Sequence, residues 1–392
     1  MRVLLVTTSY PLDPMSSSGI FVARLARSLM RVHAVRVIVP ADWRKRSLQD
    51  TLFRGEEPVV LPYRYALRSW QRLAHVPGGI PVALKKTPWL YLLVPPFLAS
   101  MFLSCLRHGR KMDVIHANWA ICGLVAGFAG RLLGVPVVVS LRGEDMTRGA
   151  KKGIDRWILK ACLSRCERVI GVSNAIVEKL QEMFPEQAGK LRLVENGVNG
   201  ALLQLERKET NEEELRLLAV GSLIPRKGVE VTLAALAAVP GISLSIVGEG
   251  PEQAALQQLA EDLGIAHRVR FLGALQPEAV HEQLARHDVL VLSSYSEGRP
   301  NVVLEAMAAA MPVLASDISG VDELVQHAST GLLFPAGDES SLAAHIERLA
   351  GDRELAQTMG RNGRQRILDM GLTWEQSADA CTRIYQEIGG AD

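Results

Sequence analysis

LRLLAVGSLIPRKGVEVTLAALAAVPGISLSIVG, residues 215–248, contains one full repeat of the fold. LRLLAV is a short apolar run of strand length that delivers Gly221 to a turn. Arg226 and Lys227 project from the loop that follows, and Gly228 permits close backbone approach before a helix-length segment leads to the next apolar run at 244. Runs apolar on both faces and separated by helix-length segments make a parallel sheet with crossover helices. The same punctuation recurs at VRFLG (269), DVLVLSS (288), PVLAS (312) and GLLF (331). Upstream it is present at residues 2–6, 35–39, 113–115, 136–140, 168–171 and 191–194, and the charged run ERKETNEEE, 206–214, reads as a solvated connector between the two series. The expectation is two tandem α/β domains, 1–199 and 200–373, with a last helix, 374–392, crossing back onto the first.

The 392 residues suffice for two hydrophobic cores, and 48% hydrophobic with 22% charged residues excludes fibrous and disordered classes. The net charge of +2 hides a basic segment: residues 36–111 hold thirteen Lys/Arg against four Asp/Glu. Cys105, Cys122, Cys162, Cys166 and Cys381 have no CxxC spacing, and the N-terminus lacks the features of a signal peptide. These features predict a cytoplasmic protein without a disulfide framework or zinc site, and a nucleic-acid partner is not expected.

The richest chemistry lies in SSYSEGRPNVVLEAMAAAMPVLAS, residues 293–316. After a strand, a loop carries Glu297 and Gly298, and Pro300 suits the first position of a helix running to about Ala310. The amides of Asn301, Val302 and Val303 at such a helix start can bind an anion or sugar hydroxyls. Glu305, one turn in on the face of Asn301, can accept two hydrogen bonds from a vicinal diol such as a ribose. Arg226 and Lys227 suit a diphosphate, the first by a forked contact and the second as a point charge. VGEGP, from Val247, lacks the third glycine of a dinucleotide fingerprint and reads as a tight structural turn. In the first domain Ser18 and Gly19 precede a helix, and His116 is placed just beyond a strand. Arg142, Gly143, Glu144 and Asp145 form a third polar loop on that edge, and Ser173 with Asn174 a fourth.

Taken together, these residues resemble the retaining family-4 glycosyltransferases of the GT-B fold. The likeness rests on Glu297 and Glu305 with seven residues between them, the Arg226-Lys227-Gly228 loop, the Ser18-Gly19 loop, VGEGP, NGV at 196–198 and His116. It implies two Rossmann-like domains facing each other across a cleft, the donor held mainly by the second and the acceptor by the first. Glu305 would then bind the ribose, Arg226 and Lys227 the diphosphate, and Glu297 with the backbone of Gly298, Arg299, Pro300, Asn301 and Val302 the donor sugar. His116 would sit by the sugar ring with Gly19 nearby, and Ser18, Asn118, Arg142, Glu144 and Asp145 would meet the acceptor. The family chemistry retains anomeric configuration by a front-face substitution. The sequence has no Asp-x-Asp pair for a metal, so the RK cations stand in, and no cofactor is expected. Arg142 replaces a frequent His, Asn199 a usual Asp and Ala310 a frequent Gly.

The resemblance implies transfer from a UDP- or GDP-sugar to a carbohydrate or lipid-linked acceptor in surface polysaccharide assembly. A sugar-nucleotide epimerase, a phosphorylase and a non-catalytic nucleotide-sugar binder are the alternatives. An anionic membrane is expected as a partner through residues 43–111, at the inner face of the cell membrane. The run TPWLYLLVPPFLASMFLSCL, 87–106, carries no charge, but Pro95 and Pro96 interrupt it, and it falls where a crossover helix belongs. Interfacial docking is favoured over a span, with a helix of the fold as the alternative.

Overall fold

The computed structural model describes residues 1–11, 19–42, 58–76, 79–150, 153–207 and 214–389. The chain divides into two compact units, Met1–Asn196 with Trp374–Asp392, and Gly197–Thr373.

In the first unit seven strands form one sheet: β1 (Arg2–Val6), β2 (Ala34–Pro40), β3 (Val59–Tyr63), β4 (Val114–Asn118), β5 (Val137–Leu141), β6 (Arg168–Gly171) and β7 (Leu191–Leu193). Their order is β3-β2-β1-β4-β5-β6-β7, and every pair is parallel. The two-residue period of a strand sends Leu4 and Val6 of β1 into one core and Val3 and Leu5 into another, which is why the sheet needs helices on both faces. On the second face the helix Trp374–Gly389 packs against the helix Ile20–Leu29 and buries Trp374, Cys381, Ile384 and Tyr385. All five cysteines are buried free thiols.

The second unit contains β8 (Leu215–Val220), β9 (Ile242–Val247), β10 (Val269–Gly273), β11 (Val289–Leu292), β12 (Val313–Ser316) and β13 (Gly331–Phe334). These run parallel in the order β10-β9-β8-β11-β12-β13. All six were legible as apolar runs. In the first unit β3 was not, because Pro62 interrupts its apolar residues Val59, Val60 and Leu61 and reads against a strand. A proline is tolerated there because β3 is an edge strand.

In each unit the strand order reverses beside the first strand, between β1 and β4 and between β8 and β11. Crossovers on either side of such a point lead away in opposite directions, leaving a crevice at the carboxyl ends of the two strands. These crevices position the residues considered next.

Candidate active-site residues at the two strand-order reversals

In the second unit, the loops after β8 and β11 are tied together. Tyr295 N donates to Arg226 O (2.9 Å), and Ser293 Oγ donates to Gly228 O (2.7 Å). Gly228 has φ 59°, and a Cβ there would lie 2.2 Å from Ser293 O, so only glycine allows the loops to close this tightly. The short turn Pro225–Lys227 then presents its cations to the neighbouring loop. Lys227 Nζ lies 2.5 Å from Glu297 Oε1, and Arg226 Nη1 lies 3.5 Å from Glu297 Oε2 while also donating to Ser296 O. Ser294 Oγ donates to Glu297 Oε1 at 2.8 Å.

The Glu297 side chain is only 9% exposed. Burial alone would raise its carboxyl, but the Lys227 ammonium, the Arg226 guanidinium and the bonds from Lys227 and Ser294 hold it below the ordinary carboxylate range. It is therefore ionised, in a cluster of two cations and one anion.

The helix following this loop is Asn301–Ala308, with Pro300 at the cap rather than in the first turn. Val303 N and Leu304 N bond to Pro300 O, and the turn after the helix puts Ala310 at φ 54°. Glu305 is buried one turn in, four residues from Asn301. Gly298 and Val302 flank the helix start half-buried. The Arg299 side chain is 0% exposed, with Nη1 3.7 Å from Glu323 Oε2, so it supports the loop from within and leaves its backbone, the part the resemblance implicates, for a donor. VGEGP is stitched to the RK loop by backbone alone, Leu223 N donating to Glu249 O and Gly221 N to Val247 O.

The first unit differs. His116 lies inside β4, not beyond it, and is 0% exposed. Its Nδ1 is 2.6 Å from Tyr385 Oη and its Nε2 2.8 Å from Ser140 Oγ. Burial first, and the Arg142 charge second, push its pKa down to about 3, so the ring is neutral near pH 7 with both nitrogens occupied. This corrects the expected position beyond the strand: His116 joins β4, β5 and the last helix.

Asp145 is likewise spent on the fold. Its Oδ1 accepts Ala120 N and its Oδ2 accepts Arg142 N, both at 2.9 Å, which caps two helix starts. Burial raises its pKa to about 6 despite those bonds and the nearby Arg142. Arg142 lies 3.7 Å over the Phe21 ring and donates to Asn196 Oδ1 at 3.1 Å. Burial brings its pKa down to about 9, with Asp145 opposing. Glu144 is exposed in the first turn of the helix Gly143–Gly149. Gly19, at φ 72°, has Ser9 O 2.2 Å from where a Cβ would sit, so it serves close packing; Ser18 lies outside the described residues. Ser173 caps the helix Asn174–Met183 by accepting Ile176 N.

At the end of β4, Asn118 is buried, and neither amide atom has a hydrogen-bond partner among the described residues. Such a group is costly unless something else satisfies it. The next residue, Trp119, has φ 72°, a strained value for a bulky side chain, and its ring meets Phe21 edge-on. Neither Trp119 nor Phe21 carries a sequence signal, since strain and long-range packing leave no local pattern; Asn196 belongs to the NGV motif, but its bond to Arg142 was not legible there. Among the described residues no three His, Cys, Asp or Glu side chains converge as a metal set would.

Comparison with known proteins matches residues 18–201 to the Glycosyltransferase Family 4 model and 203–366 to the Glycosyl transferases group 1 model. The N-acetyl-alpha-D-glucosaminyl L-malate synthase of Bacillus anthracis is 27% identical over 311 residues, covering 75% of this chain and 80% of that protein. Among solved structures, a sucrose-phosphate synthase from Thermosynechococcus elongatus superposes with a TM-score of 0.82 at 23% identity over 100% of both chains. Anabaena HepE in complex with UDP-glucose does so at 0.75 and 19% identity, covering 99% of this chain and 100% of that one. With both family domains present in order and two parallel-sheet units of the GT-B type, the chain belongs to the family-4, group-1 glycosyltransferases.

Proposed function

We propose that this glycosyltransferase moves a sugar from a UDP- or GDP-sugar to a carbohydrate or lipid-linked acceptor of cell-surface polysaccharide assembly, in the cytoplasm, with retention and without a divalent metal. The observation that carries this reading is the Arg226, Lys227 and Glu297 cluster at the strand-order reversal of the second unit. A diphosphate gains negative charge as its bond to the sugar breaks, and two cations on a loop already held in place stabilise that charge with little reorganisation. On donor binding, phosphate oxygens take over N–H donors now given to Glu297, and the released carboxylate accepts from sugar hydroxyls. Glu305, buried behind the helix start, accepts from the ribose diol.

Asn118, Arg142 and Glu144 in the first unit serve the acceptor. In the front-face reaction the acceptor oxygen bonds to the anomeric carbon on the side the phosphate leaves. The acceptor proton passes to the departing phosphate oxygen, so no side-chain base is needed. The locked, neutral His116 agrees with that assignment. The UDP-glucose held by the Anabaena relative supports a donor of this class.

A thermal-shift panel of nucleotide sugars followed by transfer assays with the stabilising donor tests the reading. A ligand at 100 times its Kd stabilises by about 2.7 kcal/mol. Stabilisation by at least one UDP- or GDP-sugar, and product of retained configuration in EDTA, are expected. No stabilisation by any nucleotide sugar, or activity abolished by EDTA and restored by magnesium, contradicts it.

A further inference from the structure

Between β3 and β4 the first unit displays a surface that glycosyl transfer from a nucleotide sugar does not use. Residues 58–112 contain eight Lys/Arg and no Asp or Glu. Arg64, Arg68, Arg72, Lys85 and Lys86 are all exposed. Among these cations stand large apolar side chains that the fold leaves outside: Leu67, Trp70 (54% exposed), Trp89, Tyr91 and Leu92 (77%). Trp70 and Trp89 meet edge-to-face with centroids 6.3 Å apart, and with Ser69, Arg72, Leu92 and Leu93 they line a cavity of about 480 Å³. The helix Val94–Gly109 begins beside it. That helix buries Phe97, Met101, Cys105 and Gly109 at four-residue spacing and leaves Pro96, Ala99 and Leu103 on the outer side, ending in exposed Arg107.

The stretch Pro88–Gly109 is long and apolar enough to cross a membrane, and only 28% of its most apolar window is buried. Topology excludes a span, because β3 ends at Tyr63, β4 begins at Val114, and both belong to one sheet. The apolar face therefore stays on the side of the membrane where the sheet is. A second copy of the chain is a poor cover, since a two-fold contact would set this acid-free cationic surface against itself. An interface of anionic headgroups over hydrocarbon complements both features. Trp and Tyr favour the headgroup level, and each Lys or Arg near an anionic surface adds attraction.

We propose that the Trp70–Trp89 seat and its flanking cations dock the first unit on an anionic lipid bilayer, with the two indoles inserted at headgroup depth. Of the basic segment expected to bind, residues 43–57, Trp43 included, lie outside the described residues, and the proposal does not use them. It also stands apart from the nucleotide-sugar reading, because docking is measured without sugar transfer.

The test is co-sedimentation of the full chain with phosphatidylcholine vesicles, with and without phosphatidylglycerol, at low and high salt. Binding is expected only with the anionic lipid and is expected to fall at 1 M salt, where the Debye length shrinks to about 3 Å. Combining Arg68→Ala, Arg72→Ala, Lys85→Ala and Lys86→Ala should weaken it by about a hundredfold or more. Brominated lipid should quench tryptophan emission in the wild type, and Trp70→Phe with Trp89→Phe should remove most of that quenching while the chain still sediments. Unchanged thermal unfolding of each variant shows that it is folded. A wild type that stays in solution on anionic vesicles, binds neutral vesicles equally well, or binds only a soluble polyanion such as heparin or single-stranded nucleic acid overturns the proposal. Vesicle binding without indole quenching overturns the insertion.

Discussion

The two strand-order reversals occupy equivalent places in two sheets of the same kind, yet they spend their polar side chains differently. Beside β8 and β11, charged groups sit on loops and pair with one another: Lys227 and Arg226 hold Glu297, and among the described residues no backbone amide depends on their side chains for a cap. Beside β1 and β4, His116 and Asp145 are locked by the fold, one by Tyr385 and Ser140, the other by two backbone amides. An ion cluster on loops can exchange partners with a charged ligand, because the exchanged groups are replaced in kind. A buried histidine or a capping aspartate cannot let go without exposing an unpaired group in a low-dielectric interior. The chemistry expected of the second unit therefore rests on side chains able to change partners. That expected of His116 and Asp145 does not.

The largest effect should follow from breaking the ion cluster. Arg226→Ala or Lys227→Ala is expected to lower turnover by about a hundredfold or more, as for a removed oxyanion donor, and to weaken donor binding as well. Steady-state kinetics on both variants check this, and turnover within about twofold of wild type in both would erase the distinction between the two reversals. Glu305→Ala sharpens it: contacts to the ribose exist before and during the reaction, so the loss should fall on donor affinity, by about ten- to a hundredfold, with little change in turnover. Calorimetry of donor binding reads it directly.

For His116→Gln the account expects a cost in stability of about 1–3 kcal/mol from disturbed bonds to Tyr385 and Ser140, with donor affinity unchanged. The pH dependence gives a second reading. The folded pKa, about 3, lies below the unfolded value near 6.5, so the unfolded chain binds a proton that the native one refuses. The stability contributed by the neutral ring is present above pH 6.5 and is lost as pH falls toward 3, at up to about 1.4 kcal/mol per unit. Denaturant titrations of wild type and variant across that range should differ in slope, and parallel curves would mean that the ring is not held neutral.

The smallest effect concerns backbone strain, which is present at both places. Trp119, at φ 72°, directly follows Asn118, whose side-chain amide has no partner among the described residues, whereas Ala310, at φ 54°, lies beyond the far end of the Glu305 helix. Ala310→Gly should relieve a left-handed residue and raise stability by about 1 kcal/mol without altering donor affinity. Thermal unfolding and calorimetry on the same sample check both halves.

All the strands of the second unit and six of the seven in the first could be read from apolar runs: strands buried on both faces show such runs whatever their partners, and the half-exposed β7 and β10 show them as well. The edge strand β3 escaped because Pro62 interrupts its apolar run and reads against a strand. Glu297, Arg226 and Lys227 were legible because loop, glycine and helix start occur within short windows. The engagement of His116 by Tyr385, 269 residues away, was not, and neither was the burial of Arg299 against Glu323. Both are tertiary events that residue type alone leaves open. Asn199, where the family usually has Asp, caps the helix Gly200–Leu203: its Oδ1 accepts Ala201 N at 3.0 Å, as an aspartate cap would.

The most direct test of the central claim, that the diphosphate is bound by the loops after β8 and β11, is calorimetric titration of UDP and of GDP into wild type, Lys227→Ala and His116→Gln. The account predicts that the nucleotide bound by wild type binds His116→Gln with the same affinity and Lys227→Ala at least about tenfold more weakly, the loss of one charge-assisted contact. Equal affinity for Lys227→Ala and wild type, or a loss in folded His116→Gln as large as in Lys227→Ala, would contradict it.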